Sequence, residues 1–255
     1  MAATRRPTVL VTGMSGLIGG VARRQLEGAY DLRALGRRAV AGVPTHVADI
    51  ASLEAIAPAF AGVDVVVHLA AAVGQVTTLD GLLAPNIVGT YNVFEAARRA
   101  GVRRVVFASS GAVVSGYERD EPYRTLAAGR YEAVGEWETL THTSPLHPSG
   151  LYGCSKVWGE ALGRHYSDAH GLSVICLRIG HVTAGDRPVA PREFAVWCSQ
   201  RDIARMIEAC VAAPDTVRFD IFFVVSNNRW GYRDLAHARE VVGWSPLDAA
   251  EDHRR

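Results

Sequence analysis

Residues 8–20 read TVLVTGMSGLIGG: a short apolar run, then glycines at 13, 16 and 19. A β-branched run that meets a glycine turn and passes into a helical pattern opens a strand–turn–helix unit of the dinucleotide-binding kind. Gly13 is expected to permit the tight turn and Gly16 to let backbone approach a pyrophosphate. Gly19 is expected to let the helix pack closely on the strand. The spacing is G-x-x-G-x-x-G rather than G-x-G-x-x-G. The helix start offers free N–H groups and a positive dipole end to phosphates, which brings Ser15, Leu17 and Ile18 into the same cofactor site.

The pattern repeats outward from that unit. Apolar runs at 31–35, 45–49, 63–70, 103–110, 172–180 and 219–225 alternate with helical segments at 17–27, 52–60, 84–100, 151–170 and 200–213. Near-continuous apolar strands suit a parallel sheet covered on both faces. The order is βαβ repeated, so the fold class is α/β, a doubly wound parallel sheet (Rossmann fold) with a short C-terminal extension. Residues 1–180 are expected to hold the cofactor and the catalytic groups, and 181–255 a small substrate-binding part that is not an independent domain. Residues 116–150 read as an irregular stretch, long enough to cover a site.

Strand ends locate the cofactor contacts. The second strand ends in LGRR, with Gly36 where an acid would hold the ribose of NAD, then Arg37 and Arg38. Two cations there favour NADP over NAD, although either is compatible, and both could instead be solvated. Asp49 and Ile50 end the third strand, where adenine is expected. Leu69, Ala70 and Ala71 end the fourth, beside the pyrophosphate, and Ile179 ends the sixth.

Tyr152 and Lys156 stand four apart in LYGCSK. On a helix they share a face, and a lysine cation beside a phenol is expected to lower its pKa. A tyrosine so tuned can accept a proton from an alcohol while a nicotinamide takes the hydride. Ser109 and Ser110 end the fifth strand. Alternation along the strand decides which faces the ligand, and the residues alone leave that open.

The 255 residues are 49% hydrophobic and 21% charged, with net charge +1. That balance gives no reason to expect a nucleic-acid or membrane partner, and a small-molecule substrate is the expected one. MAATRRPTVLVTG lacks the apolar stretch of a signal peptide, no run approaches the ~20 residues of a membrane span, and four scattered cysteines suit a reduced protein. The expected location is the cytoplasm. His142, His147 and His181 have no metal-site spacing, so no metal is expected. His181 follows a strand at the ligand end and is a candidate substrate contact. Trp197, Trp230, Tyr232 and Trp244 read as packing, and Cys154 as structural.

Together TGMSGLIGG, DVVVHLAA, NIVGTYNVFEAAR, VVFASSGAV and LYGCSK resemble the short-chain dehydrogenase/reductase superfamily in its extended, epimerase-like branch. The resemblance implies that Tyr152 is the acid/base, that Lys156 binds the nicotinamide ribose, and that Ser110 holds the substrate oxygen. Asn86 would support the active-site hydrogen-bond network. The short tail after Arg178, with FASS, GLYGCSKVWGEALGRHY, LRIG, the spacing of Arg192 and Trp197, and REVVGWSP, resembles the uronate dehydrogenase-like group. In that group the arginine at the Arg192 position grips the substrate carboxylate; an ion pair, for instance with Glu193, is the alternative. Gly111 and Ala112 stand where that group has Asn-His, and Val73 where it has a serine. Gly111 is therefore a substrate-side position with fewer polar contacts. The implied activity is NAD(P)-dependent oxidation of a sugar or sugar acid. A sugar epimerase and a dinucleotide sensor are the alternatives. Family members commonly pair through the helices at 84–100 and 151–170, so a homodimer or larger homo-oligomer is expected.

Overall fold

The structure, a computed structural model, describes residues 5–73 and 78–254. Residues 1–4, part of the N-terminus read as leaderless, lie outside the described residues. The chain runs β1 (Thr8–Thr12), α1 (Leu17–Leu26), β2 (Asp31–Gly36), β3 (Thr45–Val47), α2 (Leu53–Ile56), β4 (Val65–His68), α3 (Leu79–Leu82), α4 (Gly89–Arg99) and β5 (Arg104–Ser110). It continues through α5 (Tyr123–Ala127), α6 (Leu151–His170), β6 (Ser173–Ile179), α7 (Glu193–Val196), α8 (Gln200–Ala212), β7 (Phe219–Val224) and α9 (Ala236–Val242). All seven strands form one parallel sheet in the order β3-β2-β1-β4-β5-β6-β7. The doubly wound reading is what the structure shows. The chain leaves β1 toward β2 and β3, then crosses to β4 on the other side. That reversal opens a crevice beyond the C-terminal ends of β1 and β4.

Alternation along the strands divides the core. Val9, Val11, Val65, Val67, Ile175 and Leu177 pack on one face with Leu26, Ile203 and Ile207 of α1 and α8. Leu10, Val66, Val105, Phe107 and Val174 pack on the other with Phe60, Phe94, Leu162 and Tyr166. With both faces covered, each strand must be apolar at nearly every position, which is why the runs were legible. A third cluster, including Val113, Tyr123, Leu126, Phe223 and Tyr232, lies under the irregular segment after β5. Trp197, Trp230, Tyr232 and Trp244 are all buried, in keeping with packing. The chain after Gly180 adds β7 to the sheet edge beside β6 and lays α8 against α1.

Two helices expected to be continuous are broken at prolines. The 52–60 segment is α2 followed by a 3-10 turn at Ala57–Phe60 containing Pro58. The 84–100 segment is reached through α3 and a wide π-type turn at Leu83–Val88 containing Pro85, before α4. A proline has no N–H for the helical ladder and its ring crowds the preceding turn. The widened turn carries Asn86 into the interior, where it is 2% exposed.

Candidate active site

The turn after β1 is closed by contacts that allow no side chain. Gly13 has φ +72, and a Cβ there would lie 2.8 Å from the Ala70 nitrogen. A Cβ on Gly19 would lie 2.4 Å from the Gly13 carbonyl oxygen. Gly19 thus packs the helix against the turn itself rather than against the strand. α1 has no acidic residue in its first turn, so its positive end is uncompensated. These features fit a dinucleotide pyrophosphate.

A cleft of about 960 Å³ lies over this turn and the ends of β1, β4, β5 and β6. Gly13, Ser15, Gly16, Leu17, Ile18 and Gly19 form its floor, and Arg37, Arg38, Asp49 and Ile50 line one end. Both arginines are exposed. Asp49 accepts the Ala51 N–H at 2.9 Å, which shapes the turn after β3. Leu69, Ala70, Ala71, Ile179 and His181 also line the cleft, and Ser110, Tyr152 and Lys156 stand among them. Val73, where a serine was expected by resemblance, lines the cleft and is 60% exposed.

Strand alternation separates the two serines. Ser109 turns under α6, and its hydroxyl donates to Glu160 Oε1 at 2.5 Å. Glu160 is held in turn by Arg178, with Nε at 3.0 Å and Nη2 at 2.9 Å, and the pair is almost wholly buried. Ser110 faces the cleft, accepts the Ala112 N–H at 3.1 Å and hydrogen-bonds to the Tyr152 phenol. Glu160 escaped the sequence reading, although its place four residues after Lys156 put it on the same helix face.

The expected effect of Lys156 on Tyr152 is not what the structure shows. Burial pushes the Tyr152 phenol above its ordinary value, and the Ser110 hydrogen bond opposes that only in part. Lys156 Nζ is 5.6 Å from the centre of the Tyr152 ring and donates instead to the Ala108 carbonyl at 2.8 Å. Burial pushes Lys156 itself down to about 8. Desolvation of both groups outweighs the mutual effect the spacing suggested.

Asn86 ties the pieces together. Its Oδ1 accepts the Ala72 N–H at 2.7 Å, and its Nδ2 donates to the Ala72 carbonyl at 3.1 Å and to Ser155 Oγ at 3.0 Å. Ser155 donates to the Tyr152 carbonyl at 2.7 Å. The loop after β4 is thereby fastened to the first turn of α6. His68, absent from the sequence reading, does the same at the crossing. Thr12 Oγ1 accepts the Leu69 and Ala70 N–H groups and lies 2.8 Å from His68 Nδ1. With both lone pairs so used, the Thr12 hydroxyl donates to Nδ1, and His68 carries its proton on Nε2. Burial, with the nearby Lys156 charge, pushes His68 down to about 3.

Two substrate-side expectations are met differently. Arg192 does not line the cleft. Its guanidinium grips Glu118, with Nε at 2.5 Å and Nη2 at 2.7 Å, and Tyr232 donates to the same carboxylate at 2.5 Å. The ion pair considered with Glu193 is made with Glu118, from the irregular segment. Gly111 is buried and its Cβ direction is filled by Arg233. His181 does reach the cleft, with its side chain 45% exposed and its ring 3.5 Å from Glu193. Among the described residues no cluster of three or more His, Cys, Asp or Glu is placed to hold a metal ion. No helix there is long and apolar enough to cross a membrane.

The family described as NAD dependent epimerase/dehydratase matches residues 9–244. The chain belongs to this family. The NAD-dependent glucose-6-phosphate dehydrogenase of Haloferax volcanii is 34% identical over 94% of this chain and 93% of the relative. The L-arabinose 1-dehydrogenase (NAD(P)(+)) of the same organism is 36% identical over 94% of this chain and 96% of the relative. A uronate dehydrogenase variant from Agrobacterium tumefaciens, solved in complex with NAD, superposes with TM-score 0.81 at 32% identity, over 98% of this chain and 88% of that one. The family and the cleft agree on an NAD-binding enzyme of α/β fold.

Proposed function

We propose that this member of the family is an NAD(P)-dependent sugar dehydrogenase, removing a hydride from a hydroxyl of a sugar or sugar acid. The observation that carries the reading is the meeting of Ser110, Tyr152 and Lys156 at one wall of the cleft, beside the glycine turn. Relatives acting on glucose 6-phosphate, L-arabinose and uronates support a sugar as substrate. Bound NAD(P)⁺ supplies the hydride acceptor. The chain's own residues do the rest. Ser110 positions the reacting oxygen, and Tyr152 takes the hydroxyl proton at its phenolic oxygen. Lys156, its ammonium 5.6 Å from the centre of the ring, supplies the positive charge that works against the burial of the phenolate. Asn86 holds the Ala72 loop and the start of α6 in register.

Arg37 and Arg38, exposed at the adenosine end with no acid at Gly36, support acceptance of NADP. The segment after residue 180 serves the substrate side through His181. The apolar side chains left exposed on the π turn, α4 and α6, such as Leu83, Tyr91, Leu151 and Trp158, support pairing of two copies through these helices. Four free cysteines, three of them buried, suit a cytoplasmic protein. The test is a panel of aldoses, uronates and sugar phosphates offered with NAD and with NADP separately, reading absorbance of the reduced cofactor. Net reduced cofactor from at least one sugar supports the reading. Interconversion of sugars without it would support an epimerase instead.

A further inference from the structure

A second cleft, of about 690 Å³, shares no lining residue with the catalytic one. Three segments remote in sequence form it: residues 129–134 with Trp137, Arg229 and Trp230 after β7, and Arg254. One wall is a stacked pair. The Tyr131 and Trp230 rings lie 3.9 Å apart, centre to centre, and 11° from parallel, and both residues are buried. The Tyr131 hydroxyl donates to the Pro191 carbonyl at 2.6 Å, which fixes the pair in place. Two cations are set on these rings. Arg254 Cζ lies 4.7 Å from the centre of the Trp230 ring and 5.6 Å from that of Tyr131, and Arg229 Cζ lies 5.6 Å from Trp230. A guanidinium held against a ring loses freedom of orientation but keeps its in-plane N–H donors.

Arg130 is the third cation on the lining, and all three are exposed. Among the described residues none of the three has a carboxylate at salt-bridge distance. Arg130 reaches only Thr125 Oγ1, at 3.5 Å. Glu132 is the one carboxylate on the lining, so two positive charges stand in excess there, in a chain whose net charge is +1. Glu251 does not neutralise them. One of its oxygens accepts the Arg229 backbone N–H at 3.0 Å, and the other is shut from solvent. Three converging cations without partners repel one another, and an anion between them removes that cost.

The geometry points to a second ligand site, in which Arg130, Arg229 and Arg254 receive an oligophosphate, either inorganic pyrophosphate or the phosphate chain of a nucleotide. A single carboxylate would satisfy one guanidinium fork and leave the other two. Two linked phosphoryl groups carry enough charge and enough oxygens for all three. Trp137, half-buried on the same lining, donates its indole N–H to the Gly231 carbonyl at 3.1 Å, which leaves a fixed ring for a base to stack on. The site does not depend on what the catalytic cleft oxidises.

The test is a calorimetric titration of the full chain saturated with NADH, so that the glycine turn is already occupied. Pyrophosphate and ATP are added separately in about 0.1 M salt, where attraction between solvated charges fades beyond about 10 Å. Saturable binding at one site is expected, with Kd below about 1 mM for at least one of the two. R229Q/R254Q is expected to weaken it at least about tenfold. R130Q, which disturbs no stacking, is expected to weaken it at least about threefold and serves if the double variant does not fold. R37Q/R38Q, at the adenosine end of the catalytic cleft, is expected to bind as wild type does. Tighter binding of ATP identifies a nucleotide as the ligand, and equal or tighter binding of pyrophosphate identifies the phosphate chain alone. Absence of saturable binding, binding kept in R229Q/R254Q and R130Q, or binding lost in R37Q/R38Q overturns the proposal.

Discussion

At Lys156 the needs of catalysis and of stability oppose each other. An ammonium buried among Phe107, Tyr152 and the end of β5, with a pKa pushed down to about 8, is unfavourable to folding at neutral pH. The unfolded chain binds the proton more tightly, so this penalty is fully present below pH 8 and is relieved as pH rises toward the ordinary lysine value. Lys156→Met is therefore expected to abolish turnover and yet raise stability at pH 7 by on the order of 1–3 kcal/mol, measured by urea denaturation. The gain should vanish when the same comparison is made near pH 10. Equal stability of the two proteins at pH 7 would show that the Ala108 hydrogen bond compensates the burial. The spacing of Tyr152 and Lys156 was legible in the sequence, but its electrostatic consequence was not, because it depends on how much water each group loses. The choice between Ser109 and Ser110 was likewise open until the strand's two faces were known.

Among the elements, strands were read more faithfully than helices. An apolar run buried on both sides carries its own boundaries. The segment leading into α4 does not, since Pro85 widens the helix into a π turn and turns Asn86 inward. Asn86→Ala removes three hydrogen bonds that join the Ala72 loop to α6. It is expected to lower stability by about 1–3 kcal/mol and to reduce kcat more than cofactor affinity, because it displaces Tyr152. Chemical denaturation and cofactor titration separate the two effects. His68 makes the corresponding joint between β1, β4 and α4. Its pKa falls from the ordinary value to about 3, so its contribution is full above pH 6.5 and is lost as pH falls toward 3. His68→Gln should flatten the acid limb of the stability–pH curve over that window, which thermal melts in a buffer series will show. An unchanged acid limb would mean that other groups set the acid lability.

Over the whole molecule, the switch point between β1 and β4 sets where the cleft lies, and the order of strands already implied it. What the sequence could not convey is pairing at long range. Arg192 and Glu118 lie 74 residues apart, with Glu118 inside a stretch that has no periodic pattern. That pairing holds Arg192 on Glu118 and away from the cleft, where resemblance had placed it. The small helices α7 and α9 were missed for a different reason, each being too short to show a period. The central claim joins the glycine turn, the strand ends and α6 in one redox site, and Tyr152 is its chemical test. Wild type and Tyr152→Phe are compared with the best sugar of the panel, by absorbance of reduced cofactor and by cofactor titration. The expected result is a loss of kcat of at least ~10³-fold with cofactor affinity unchanged within about threefold. Turnover by Tyr152→Phe at the wild-type rate would contradict the assignment.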